Sequence, residues 1–91
     1  MEIGISLNSI GLMYGNQKNY SKAIECYQRS LHIFEKNTGK VSMQIAMPIN
    51  NIGLMYDNQE NYPKALEYYQ RCLEIYETLK GKGSIETAIP L

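Results

Sequence analysis

Apolar residues recur at helical spacing along most of this chain. Leu7, Ile10, Gly11 and Tyr14 fall at i, i+3, i+4 and i+7, and Ile49, Ile52, Gly53 and Tyr56 repeat the series, which predicts helices with one packed side. Ala23, Ile24, Tyr27, Leu31 and Phe34 form a second stripe, matched by Ala65, Leu66, Tyr69, Leu73 and Tyr76. No strand-like alternation competes with it. The polar runs Asn16 to Asn19 and Asn58 to Asn61 read as turns, and Pro63 suits the first position of a helix, where its missing N–H is not needed. Gly39 and Gly81 follow the last stripe residues as terminators, and Ser42 and Ser84 can cap what comes next. These signals predict helices over 2–16, 21–37, 43–58 and 63–80, then a ragged tail. Pro48 and Pro90 sit beyond a first turn, where proline removes a backbone bond and clashes with the carbonyl four residues back. An irregular first turn at Ser42 to Met47 is therefore expected ahead of Pro48.

The two pairs of stripes are an internal repeat. Asn8 to Ile49 laid on Asn50 to Leu91 without a gap gives a period of 42 with 24 identical positions of 42. The strongest block is IGLMY, at Ile10 to Tyr14 and again at Ile52 to Tyr56. The opening residues Met1 to Leu7 align with Met43 to Ile49 and with Ile85 to Leu91. One all-α domain follows, 1–91, built of unit 1 (about 1–42), unit 2 (about 43–84) and the start of a third at 85–91. Units of this size bury a core only by stacking on neighbours.

At these residues the chain resembles the tetratricopeptide repeat family, over essentially its whole length. The family's leucine–glycine pair with a tyrosine three further on is matched by Ile10, Gly11 and Tyr14 and by Ile52, Gly53 and Tyr56. Its second-helix pattern of aromatic, alanine and aromatic is matched by Tyr20, Ala23 and Tyr27 and by Tyr62, Ala65 and Tyr69. Leu7 and Ile49 replace the large aromatic early in the first helix, and Ser30 and Cys72 a second small residue. The long period is similar to that of kinesin light chain repeats. The resemblance implies a right-handed α-solenoid of antiparallel helix pairs, with a concave surface of first helices that holds extended peptides.

Packing follows from the residues themselves. Gly11 and Gly53 lie within the apolar stripe, so a neighbouring helix can approach their backbone, and Ala23 and Ala65 offer the complementary small surface. Tyrosines 14, 27, 56 and 69 are expected to fill the space around that contact, each burying ~150 to 250 Å² when enclosed.

Opposite the packed side of the first helix lie Ile5, Asn8, Ser9, Leu12 and Asn16, repeated as Met47, Asn50, Asn51, Leu54 and Asn58. Amides offer donors and an acceptor together, which suits the backbone of an extended peptide, while leucines supply an apolar floor. Asn8, Leu12, Asn16, Asn50, Leu54 and Asn58 are thus the candidate peptide-binding residues. The alternative is that Asn8 and Asn50 bond neighbouring helices and Leu12 and Leu54 pack across the interface. Chaperone-binding members of the family grip a terminal carboxylate with Lys and Arg here; this chain has Asn, Ser, Leu, Met and Ile instead.

Charge and composition narrow the function classes. Nine basic residues balance nine acidic ones, which argues against a phosphate-binding face and hence against nucleic acid. No apolar run suits a membrane span, and the chain reads as soluble and cytoplasmic. Cys26 and Cys72 occupy non-equivalent positions of the repeat, so two free thiols are expected, with Cys26 partly exposed. A single His and no Cys/His cluster leave no metal site, cofactor or catalytic group to nominate. Gly81-Lys82-Gly83-Ser84 fails as a phosphate loop, because Tyr76 stands at the earlier glycine position. His32 is replaced by Glu74 one period on, the mark of a tolerant surface position. Asn19-Tyr20-Ser21 matches a glycosylation acceptor only formally. Glu25 with Arg29 and Glu67 with Arg71 have i, i+4 spacing and read as solvated helix-face pairs.

The expected function is a non-catalytic protein-interaction scaffold that holds a peptide or helical segment. The alternatives are a self-assembling spacer or a regulatory array from a larger protein. The second helix of unit 2 lacks a following first helix, so Tyr68, Leu73 and Tyr76 are expected to form an apolar end, and concentration-dependent association with it.

Overall fold

The computed structural model describes residues 2–39 and 42–80. They form four helices, α1 (Glu2–Asn16), α2 (Tyr20–Thr38), α3 (Met43–Asn58) and α4 (Tyr62–Lys80). No strand occurs among the described residues, and all eight helix ends lie within one residue of those expected. The residues aligned with a third unit, and the Gly81-Lys82-Gly83-Ser84 segment, lie outside the described residues.

Glycine positions show how the helices run. A Cβ on Gly4 would meet the Phe34 ring at 3.0 Å, and one on Gly11 the Tyr27 ring at 2.6 Å. Contacts that descend α2 while ascending α1 make the pair antiparallel. In the second pair Gly53 lies under Tyr69, with a Cβ distance of 2.7 Å, and the Cys72 thiol points to the Ala46 carbonyl at 3.7 Å. Its counterpart in the first pair is the Ser30 hydroxyl, which donates to the Gly4 carbonyl at 2.7 Å. At Gly11 and Gly53 the close approach is made by a tyrosine ring rather than by the backbone of the facing helix. Between the pairs, α3 packs on α2. Ile45, Ile49 and Ile52 of α3 are wholly enclosed with Tyr27 and Ala23 of α2, each isoleucine contributing ~1.5–3 kcal/mol.

The turns inside the two pairs are copies of one another. Asn19 N–H donates to the Tyr14 carbonyl and Lys18 N–H to the Gly15 carbonyl; Asn61 to Tyr56 and Glu60 to Asp57 repeat them. This double closure ends a helix with a left-handed residue, here Lys18 (φ 65°) and Glu60 (φ 63°). Gly39, at φ +87°, ends α2 in a conformation that suits glycine.

Three expectations are corrected. The first turn of α3 is regular: the helix starts at Met43 and passes through Pro48. Proline forfeits the bond to the Gln44 carbonyl, but its ring is fully enclosed and Gln44 is exposed, so water can serve the freed carbonyl. Ser42 stands at the N-cap without capping; its hydroxyl pairs with that of Thr38 at 2.9 Å. Cys26 is buried rather than partly exposed.

Candidate functional site

Two parallel first helices build one face of the molecule. Asn8 contacts Met47 and Asn51, and Gly15 lies against Met55, so α1 and α3 advance side by side in the same direction. Ile5 and Leu12 on α1, and Met47 and Leu54 on α3, are all exposed, at 57%, 51%, 52% and 41%. Seven residues separate the members of each pair, two helical turns, which keeps them on one line along the helix. Asn16, Asn50 and Asn58 are exposed beside them, and Asn51 is half-buried.

Asn8 departs from this arrangement. Only 6% of it is exposed, its amide N–H points to the Met47 sulfur at 2.8 Å, and its carbonyl oxygen accepts from the Asn51 amide at 3.2 Å. Asn8 therefore ties α1 to α3, whereas Asn50, with no further first helix beside α3 among the described residues, stays open. Leu12 and Leu54 do not pack across the helix interface. Ile5 and Met47 extend the apolar row beyond the leucines; the seven-residue spacing Ile5–Leu12 and Met47–Leu54 was the signal for them.

The face carries almost no charge. Glu2 is the one Asp, Glu, Lys, Arg or His residue in α1, and Asp57 the one in α3. Asp57 is engaged, accepting from the Tyr69 hydroxyl at 3.3 Å. The charges lie instead on α2 and α4, where Arg71 reaches across to Glu35 at 2.8 Å. This inter-unit bridge replaces the expected Glu67–Arg71 pair. On the outer side of α2, Glu25, Gln28, Arg29, His32 and Ile33 line an open hollow of about 360 Å³.

Nucleophilic chemistry finds little support. Both cysteines are buried free thiols. Burial pushes the Cys72 thiol above its ordinary pKa, against a smaller lowering by its hydrogen bond with Tyr76, so it is not a ready thiolate. No cluster of three His, Cys, Asp or Glu side chains suited to a metal ion occurs among the described residues. None of the described helices is long and apolar enough to cross a membrane.

Stacked antiparallel helix pairs that repeat their glycine–tyrosine contacts define a helical repeat protein. The chain matches the sequence model of the tetratricopeptide repeat over residues 2–89, and it belongs to that family. Members commonly serve as protein-interaction scaffolds and are typically not catalytic. A search of curated proteins finds no match to this chain.

Proposed function

We propose that this chain is a non-catalytic scaffold that holds a peptide or helical segment on the face made by α1 and α3. One observation carries the proposal: Ile5, Leu12, Met47 and Leu54 form two parallel exposed apolar rows, with the free amides of Asn16, Asn50 and Asn58 alongside. Apolar side chains of a ligand would lie between the rows, and the amides would bond its backbone. Asn8 serves as the strut beneath, fixing the spacing of the rows. The absence of basic groups on α1 and α3 favours an internal segment over a terminal carboxylate.

The test uses peptides selected from a random displayed library against the full chain. Selected peptides should carry two or more apolar residues, bind with little dependence on salt, and lose at least tenfold in affinity to Leu12→Asp or Leu54→Asp. Peptides that bind these variants unchanged would place the site elsewhere.

A further inference from the structure

Among the described residues the α2·α3 junction appears once, and its two halves appear again without a partner helix, on α4 and on α1. On α3, Ile45 and Ile52 are 0% exposed and Met55 is 7% exposed, but their equivalents one period earlier on α1, Ile3, Ile10 and Met13, are 66%, 45% and 61% exposed. Ile10 is thus not on a packed side, contrary to the stripe. On α2, Ile24 and Leu31 are buried, while their equivalents on α4, Leu66 and Leu73, are exposed. The side chains are the same or closely similar, so the difference lies in whether the neighbouring helix is there.

A polar contact repeats the pattern. Glu35 and Arg71 bridge α2 and α4 across the junction. Their equivalents are Glu77, on α4, and Arg29, on the outer side of α2. These two carry opposite charges at opposite ends of one molecule and would meet only if a second molecule followed the first in register. Ile33, beside Arg29, is half-buried where its equivalent Ile75 is buried.

We infer that a second copy of this chain docks head to tail, with α4 of one molecule against α1 and α2 of the next, reproducing the internal junction and pairing Glu77 with Arg29. Such a contact is heterologous and builds open chains rather than a closed dimer. It uses the ends of the solenoid, leaves the α1–α3 face free and is independent of peptide binding.

Sedimentation of the full chain up to millimolar concentration, with helicity checked by circular dichroism, tests this. The wild type should grow with concentration. Arg29→Glu alone and Glu77→Arg alone each set like charges at every contact and should weaken association by ~2–5-fold. An equimolar mixture of the two variants restores opposite charges at both alternating contacts and should recover wild-type association. Ile10→Asp and Leu73→Asp, at solvent-exposed positions, should remain helical and lose more than tenfold. A monomer at all concentrations, or a mixture no stronger than its components, would overturn the inference.

Discussion

The Tyr69 hydroxyl donates to the Asp57 carboxylate at 3.3 Å. Its equivalent one period earlier, the Tyr27 hydroxyl, is buried with no partner among the described residues, because Gly15 stands where Asp57 would be. Leaving a buried hydroxyl unsatisfied costs ~1–3 kcal/mol. Tyr27→Phe should therefore be neutral or stabilising, whereas Tyr69→Phe should cost ~0.5–1 kcal/mol. Gly15→Asp should stabilise by supplying the missing acceptor, since its Cβ meets only the flexible end of Met55, at 3.2 Å. Urea unfolding of the three variants checks the signs.

Alkaline pH should unfold the chain through the same tyrosines. Burial raises the pKa of Tyr27, with the neighbouring Cys26 adding to it. Burial likewise raises Tyr69, with Asp57 adding, and Tyr76, with Cys72 adding. An acid raised in the folded state stabilises fully below its unfolded pKa, about 10 for tyrosine and about 8.5 for cysteine. That contribution is lost as pH climbs through the folded value, because the unfolded chain gives up its protons first. Stability should thus decline above pH ~8.5–10, and Tyr27→Phe should make the decline shallower in denaturant midpoints measured across that range.

Glycine at the helix crossings should resist even a methyl group, unequally. A Cβ at Gly11 would lie 2.6 Å from the Tyr27 ring, and Tyr27 is wholly enclosed. At Gly53 the Tyr69 ring is 2.7 Å away but half-buried, with room to swing outward. Gly11→Ala should cost ~1–3 kcal/mol or more, and Gly53→Ala less. Equal thermal shifts would contradict this difference.

Lys18 and Glu60 should be improvable. Both hold left-handed backbone with a side chain, a conformation costing ~1–2 kcal/mol outside glycine. Lys18→Gly and Glu60→Gly should each raise stability by ~0.5–1 kcal/mol, after the greater freedom of glycine in the unfolded chain is counted. Because the turns are far apart, the double variant should show nearly the sum in denaturant midpoint.

Two asparagines one period apart should behave differently. Asn8→Ala removes a buried tie between α1 and α3 and should cost ~1–2 kcal/mol, whereas exposed Asn50→Ala should stay within ~0.5 kcal/mol of wild type. Chemical denaturation of both decides it, and an effect of equal size would remove the strut role of Asn8.

Helix number, length and pairing order were legible in the chain, because each rests on local periodicity and on turn residues that act within a few positions. The 42-residue self-similarity also showed that α1 corresponds to α3 and α2 to α4. What a single stripe could not show is which equivalent position has a neighbour. Ile10 and Ile52 sit in the same IGLMY block, as do Ile24 and Leu66 in their stripes, yet one of each pair is buried and the other open. Asn8 and Asn50 divide in the same way, and Arg71 turns from Glu67, four residues away on its own helix, to Glu35 on another. The sequence determined what each unit is and how its two helices cross; only the tertiary structure decided which faces meet, because burial belongs to a residue together with whatever stands opposite it.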